Sequence, residues 1–125
     1  MNQNTRVAIY GLGNMGYPLA ERIGRHFATQ VFDLDAAQRQ RAQDSFGAAA
    51  ITGPEDVSAT QTVVLCLPSP AISLSVLAQI APRLPRGAVV VETSTVNPEH
   101  IHAQHKLLAP YGVDLIDASI MAGVG

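Results

Sequence analysis

The stretch VAIYGLGNMGYPLAERI, residues 7–23, decides the fold. A short apolar run leads directly into three glycines, Gly11, Gly13 and Gly16, and a helical pattern begins with no polar loop between them. Glycine lowers the stability of helix and strand interiors. Its use at this junction therefore indicates a place where a side chain would be in the way.

The composition narrows the class of protein. The chain has 125 residues, 47% hydrophobic and 14% charged, which suits one globular domain. A net charge of −2 gives no basic surface for nucleic acid or an anionic membrane. The single cysteine, Cys66, excludes an internal disulfide and suits a reducing compartment. No signal-peptide core or transmembrane-length apolar run is present, so we expect a soluble, cytoplasmic chain with no nucleic-acid or membrane partner.

Short apolar runs alternate with helical patterns along the whole chain. The runs predict strands in residues 6–11, 29–35, 48–52, 60–68, 88–95 and 113–120. Helices are predicted in residues 14–27, 36–46, 70–84 and 97–112, with a short turn and helix in 53–59. Unbroken apolar runs such as VVL and AVVV are typical of strands buried on both faces. The sequence therefore predicts an α/β Rossmann domain over residues 1–125, with a doubly wound, mainly parallel six-stranded sheet and helices on both faces.

The three glycines follow a predicted strand and open a helix, which is the G-x-G-x-x-G pattern of dinucleotide-binding units. Gly11 would allow the tight turn, Gly13 the approach of the cofactor's pyrophosphate, and Gly16 close packing of helix on strand. Backbone N–H groups and the positive end of the helix would hold the phosphates. The predicted cofactor contacts in this loop are Gly11, Leu12, Gly13, Asn14, Met15 and Gly16.

An acidic residue stands where the pattern requires one. Asp33 stands at the end of VFD in the second predicted strand, about 20 residues after the first glycine, and would accept hydrogen bonds from the adenosine ribose. Its charge would repel a 2′-phosphate, and no arginine follows immediately, so NAD is favoured over NADP. Asp35 is the alternative contact, and a solvated aspartate at a strand end is the structural alternative. A methyltransferase is disfavoured because the strand before Gly11 carries no acidic residue.

The motifs together resemble those of the β-hydroxyacid dehydrogenase family, which includes 3-hydroxyisobutyrate dehydrogenase and relatives of 6-phosphogluconate dehydrogenase. The resemblance runs through GLGNMGYPLA (11–20), VVLCLPSP (63–70), VVETSTVNP (90–98) and DASIMAGVG (117–125). It implies that Leu67 and Pro68 border the nicotinamide and that Thr95 contacts the cofactor. An apolar residue near Ile72 stands where the family often has asparagine.

Two departures from the family bear on catalysis. The family's substrate motif, Asp-Ala-Pro-Val-Ser-Gly-Gly, is replaced by DASIMAG, so the predicted substrate contacts are Met121, Ala122 and Gly123, without the family's serine hydroxyl. The family's catalytic lysine belongs to a helix after the nucleotide domain, beyond residue 125, and an all-helical domain completes the site and the dimer. Lys106, the single lysine here, lies on an unrelated motif. We therefore predict no catalytic residue in this chain and no turnover by it alone, while the full-length enzyme is expected to be a homo-oligomer.

The remaining signals give no metal site. His100, His102 and His105 read as a solvated helix surface, and Cys66 as a buried, inert thiol.

The resulting interpretation is the nucleotide-binding half of an NAD-dependent oxidoreductase that transfers hydride between nicotinamide and a small hydroxy acid or related alcohol or carbonyl compound. The alternatives are a non-catalytic NAD-binding or sensing module and an imine reductase-like NADP enzyme. The latter usually carries Asn-Arg where this chain has Asp33 and Leu34.

Overall fold

The computed structural model describes residues 5–94 and 97–118. In this part of the chain, six strands form one sheet: β1 (Arg6–Tyr10), β2 (Ala28–Phe32), β3 (Ala49–Ala50), β4 (Thr62–Leu65), β5 (Val89–Glu92) and β6 (Asp114–Asp117). Their order is β3-β2-β1-β4-β5-β6, and every neighbouring pair is parallel. The predicted doubly wound sheet is confirmed. The order reverses between β1 and β4, which is where such sheets bind ligands.

Four helices connect the strands within the described residues: α1 (Gly16–Gly24), α2 (Ala36–Phe46), α3 (Pro70–Ile80) and α4 (Pro98–Leu108). Short 3-10 turns lie at Pro54–Val57 and Ala109–Tyr111. Three of the helices begin at a side chain that accepts a backbone N–H of the first turn, namely Asp35 for α2, Ser69 for α3 and Asn97 for α4. Such caps satisfy donors that a helix leaves without partners, so these starts follow from local sequence.

Helices cover both faces of the sheet and enclose two apolar cores. One core lies under α1 and α2, and the other under α3 and α4. No helix in the described ranges is both long enough and apolar enough to cross a membrane.

Helix α1 is shorter than the predicted helix of residues 14–27, and small residues form much of its buried face. Its buried residues are Gly16, Tyr17 and Ala20, while Met15 precedes the helix and is 43% exposed. Small side chains at 16 and 20 let the helix approach the sheet closely. Leu19, Ile23 and Phe27, which follow Met15 at i, i+4 spacing, are partly buried and pack against the core beneath α1.

Candidate cofactor site

A groove of about 720 Å³ lies at the carboxyl ends of the central strands, within the size range of about 300–1,000 Å³ usual for small-molecule sites. Its walls come from the loops that follow β1, β2, β4 and β5 and from the first turns of α3. The lining residues are Gly11, Gly13, Asn14, Met15, Gly16, Phe32, Asp33, Leu34, Cys66, Leu67, Pro68, Ser69, Pro70, Ile72, Val76, Thr93 and Ser94. The parallel sheet thus brings motifs that are distant in sequence to one edge.

The folded chain itself requires glycine at two of the three fingerprint positions. Gly11 has φ +101°, in the left-handed region, and a Cβ on it would lie 2.3 Å from the carbonyl oxygen of Cys66. A Cβ on Gly16 would lie 1.8 Å from the carbonyl oxygen of Gly11. The tight turn at Gly11 and the close packing at Gly16 therefore agree with the sequence prediction.

Gly13 differs from the other two glycines. A Cβ built on it meets no atom within 4 Å, and the residue faces the groove. The fold therefore gives no reason of its own for glycine at this position. A side chain here would project into space that a ligand could occupy, which fits the predicted pyrophosphate position; that role stays a prediction.

The start of α1 has the features of an anion site. Helix α1 has no side-chain cap, because Met15 stands at the cap position and makes no capping hydrogen bond. The first N–H groups of a helix lack intrahelical partners, and the helix dipole makes this end positive. The predicted phosphate contacts Asn14 and Met15 are exposed here and line the groove.

Asp33 connects β2 to the glycine loop. Its Oδ2 accepts the backbone N–H of Leu12 at 2.8 Å, and its Oδ1 accepts the backbone N–H of Asp35 at 2.8 Å. A carboxylate has about four acceptor positions, so ribose hydroxyls can also bind to it. Asp35, the alternative ribose contact, caps α2 through Ala37 N–H and does not line the groove.

Leu12 contributes to the loop in a way that its motif position does not reveal. Its side chain is fully buried in the core beneath α1, so it faces away from the groove. Its N–H is already donated to Asp33. Leu12 therefore holds the loop in place, and its contact with a cofactor stays a prediction.

Arg39, which the sequence analysis did not single out, contacts two residues that line the groove but is not itself a lining residue. Its Nη1 donates to the backbone carbonyl oxygen of Asp33, and its guanidinium carbon lies 6.0 Å from the centroid of the Phe32 ring. The sequence prediction considered an arginine directly after Asp33, where Leu34 stands. The usable signal was helical: α2 is capped by Asp35, so a residue four positions later, one helical turn on, returns to the end of β2.

A network of hydrogen bonds joins the loops that follow β4 and β5. Ser94 Oγ donates to the carbonyl oxygen of Leu67 at 2.7 Å, and Thr93 Oγ1 donates to that of Leu65 at 2.7 Å. Glu92 is fully buried. Its carboxylate accepts the backbone N–H of Ser94 at 3.1 Å and a side-chain N–H from Nε2 of Gln104 at 2.9 Å. The segment carrying the predicted contacts Leu67 and Pro68 is thus attached to α4 through β5.

The sequence predicts a buried Cys66; in the structure Cys66 is half-buried, packs against the core beneath α1 and also lines the groove. Strand β4 ends at Leu65, so Cys66 is half-buried at the carboxyl edge of the sheet. Burial raises the pKa of its thiol, the Thr93 hydroxyl lowers it to a smaller extent, and the charge of Glu92 raises it. The thiol is therefore a weak nucleophile at neutral pH.

Several predicted residues lie away from the groove or outside the described part of the chain. Lys106 is exposed on α4 and is not among the lining residues. Ile72 does line the groove. Among the described residues, no three His, Cys, Asp or Glu side chains come together to hold a metal ion. The predicted cofactor contact Thr95 and the predicted substrate contacts lie outside the described residues; the latter are Met121, Ala122 and Gly123.

Comparison with known proteins agrees with this geometry. The sequence profile described as the NAD binding domain of 6-phosphogluconate dehydrogenase matches residues 6–125. The chain belongs to this NAD-binding domain family. The resemblance inferred from the motifs is thereby confirmed, and the family is one of oxidoreductases.

Relatives of this NAD-binding domain include complete dehydrogenases. The mitochondrial 3-hydroxyisobutyrate dehydrogenase of Homo sapiens is 25% identical over 126 residues, which covers 97% of this chain and 37% of the relative. The structure of the Mycobacterium tuberculosis 3-hydroxyisobutyrate dehydrogenase has a TM-score of 0.84 at 24% identity, covering 96% of this chain and 42% of that one. An imine reductase from Pseudomonas sp. shares the fold, with a TM-score of 0.79 at 21% identity over 90% of this chain and 40% of that one. The chain thus spans about two fifths of the length of such proteins.

Proposed function

We propose that this domain binds NAD(H) across the groove and forms the nucleotide-binding half of an oxidoreductase. The reaction would transfer hydride between the nicotinamide and a small hydroxy acid or a related alcohol or carbonyl compound. The observation that carries the proposal is the open space at Gly13, where a Cβ would meet no atom within 4 Å. Gly13 lies in a loop whose neighbouring glycines are required by the fold itself.

Each part of the groove suits one part of the dinucleotide. The uncapped start of α1 and the loop at Gly13 would hold the pyrophosphate. Asp33 would accept hydrogen bonds from the adenosine ribose, and Leu67 and Pro68 would border the nicotinamide. NAD supplies the hydride chemistry when bound, whereas the chain supplies binding and orientation.

We favour NAD over NADP because Asp33 lines the groove with a negative charge. A 2′-phosphate on the ribose would meet that carboxylate directly. Titration of the protein with NADH and with NADPH, followed by cofactor fluorescence or calorimetry, tests the proposal. NADH binding in the micromolar range with weaker NADPH binding is expected. The absence of binding by both would contradict the proposed function.

We also propose that this chain alone does not catalyse the reaction. Among the described lining residues the ionisable ones are Asp33 and Cys66; Asp33 is bonded to two backbone N–H groups, and the pKa of the Cys66 thiol is raised. A positioned base contributes typically about 10²–10⁴-fold to such reactions. Assay of residues 1–125 with NAD and hydroxy acids should show no turnover above background. Turnover lost on Lys106→Ala would contradict this.

The absence of a positioned base among the described lining residues also favours a second candidate, a nucleotide-binding or sensing module without catalysis. It would bind NADH as above, yet the longest protein from the same gene would show no turnover with hydroxy acids. Turnover by that protein would exclude the second candidate.

We further propose a cytoplasmic location, which suits the single Cys66, and a homo-oligomeric full-length protein.

A further inference from the structure

We propose that Arg39 is a second determinant of cofactor choice: its guanidinium is a fixed cation beside Asp33 that attracts a 2′-phosphate on the ribose. Rejection of NADP then rests on the Asp33 carboxylate alone. The inference depends on the proposed function, since it assumes that the adenosine ribose lies at Asp33.

The position of the guanidinium is fixed by two contacts. Nη1 of Arg39 donates to the backbone carbonyl oxygen of Asp33, and the guanidinium carbon lies over the ring of Phe32, 6.0 Å from its centroid. Phe32 and Asp33 both line the groove, and the Arg39 side chain is half-buried. The cation is therefore held at the end of β2, beside the residue that would bind the ribose.

Among the described residues, no carboxylate forms an ion pair with Arg39. The ion pair found within the described residues joins Glu21 of α1 and Arg25, the residue that follows this helix. The Asp33 carboxylate accepts backbone N–H groups and not the guanidinium. Arginine has five N–H donors, and the bond to the Asp33 carbonyl uses one of them. The others can bind phosphate oxygens, for which the planar guanidinium is well suited.

Opposite charges therefore lie near the predicted ribose position: the Asp33 carboxylate, and the Arg39 guanidinium that binds the Asp33 carbonyl oxygen. Asp33 would repel a 2′-phosphate and Arg39 would attract it, so the two effects partly cancel. A preference for NADH is expected, but a smaller one than Asp33 alone would give. Removal of the Asp33 charge should then be sufficient to favour NADPH, with no arginine needed at position 34.

The test compares the ratio of NADPH to NADH dissociation constants in four proteins: wild type, Arg39→Gln, Asp33→Asn and the double variant. Arg41→Gln is the matched control, because Arg41 is on the same helix but stacks on Tyr17, 3.9 Å from the ring centroid. Arg39→Gln should weaken NADPH binding about fivefold or more, as expected for a lost charge-assisted contact, and change NADH binding less than about twofold. Arg41→Gln should leave the ratio unchanged.

Asp33→Asn should shift the ratio towards NADPH, and adding Arg39→Gln should remove that shift. Arg39→Lys should keep part of the NADPH affinity, because it retains the charge without the planar donors. Equal weakening of both dinucleotides by Arg39→Gln would contradict the inference and indicate stacking on the adenine or a purely structural role. An unchanged ratio would also contradict it. Failure of both dinucleotides to bind wild type would instead reject the proposed function from which the inference starts.

Discussion

The carboxylate of Asp33 accepts the backbone N–H of Leu12 at 2.8 Å, so the residue expected to bind the ribose also holds the glycine loop. Strand β2 and the loop after β1 are therefore linked by a side chain as well as by strand pairing. If Asp33 binds the ribose as proposed, recognition of the ribose and the shape of the glycine loop depend on the same carboxylate.

Asp33→Ala should therefore weaken NADH binding and also destabilise the fold. Two backbone N–H groups lose their acceptor, which costs about 1–3 kcal/mol in the free energy of unfolding for groups that stay poorly solvated. Urea denaturation and NADH titration measure the two effects. Asp35→Ala is the control, since it removes the cap of α2 at a cost of about 0.5–2 kcal/mol and should leave NADH affinity near wild type. A fall in NADH affinity in Asp35→Ala alone would exchange the roles of the two residues.

Gly16→Ala should strongly destabilise the protein. The added Cβ would lie 1.8 Å from the carbonyl oxygen of Gly11, a backbone atom that cannot rotate away as the end of a flexible side chain could. The helix must move away from the loop, so we expect a lower melting temperature or loss of soluble protein. Gly13→Ala is the comparison, because its Cβ meets no atom within 4 Å. Equal melting temperatures for the two variants would show that the close approach at Gly16 is absent.

Gln104→Leu should lower the free energy of unfolding by about 1–3 kcal/mol, because it leaves one oxygen of the buried Glu92 carboxylate without its donor. The effect should reach the groove, since Glu92 also accepts the N–H of Ser94, whose hydroxyl binds the carbonyl of Leu67. Gln43→Leu, an exposed change on α2, should have little effect. Chemical denaturation of both variants checks this, and similar stability for the two would argue against a structural role for the Glu92 network.

Cys66 should react slowly with iodoacetamide and be protected by NADH. Burial raises the pKa of its thiol, so the reactive thiolate is scarce at pH 7–8. The alkylation rate should therefore keep increasing with pH beyond the pH at which an ordinary thiol is fully ionised. Because Cys66 is the single cysteine, mass spectrometry of the intact chain reports this site directly. The urea-unfolded chain is the control and should react at the rate of an ordinary thiol. Equal rates with and without saturating NADH would show that the bound cofactor does not cover the groove wall at Cys66.

The sequence predicted the fold, and it predicted that the glycine loop and Asp33 lie at the same edge of the sheet, because both follow from local patterns. Strand-ending positions such as Asp33 and Leu67 lie at one edge once all strands are parallel, so their meeting in a groove follows from topology. The contacts made by Arg39 and Ser94 depend on where β2 and β4 end and on which backbone atoms a side chain can reach. Those details are set by packing between elements; the spacing from the α2 cap is a local signal for Arg39, whereas no short motif encodes the contact of Ser94.

The same reason explains the difference at Cys66. An apolar run predicts burial, but a residue that follows the last strand position can lie where the core meets the groove, as Cys66 does. Strand β4 ends at Leu65, one residue before Cys66. The motif-based contacts Thr95 and Met121 lie outside the described residues and remain predictions.

The binding of NADH to Gly13→Val tests the central claim most directly. A side chain at this position meets open groove space and no protein atom within 4 Å of its Cβ, so the variant should fold and melt close to wild type. If the pyrophosphate of the dinucleotide lies over this loop, the added valine fills its place and NADH binding should be lost in a fluorescence titration at concentrations that saturate wild type. A well-folded Gly13→Val protein that binds NADH as tightly as wild type would contradict the account.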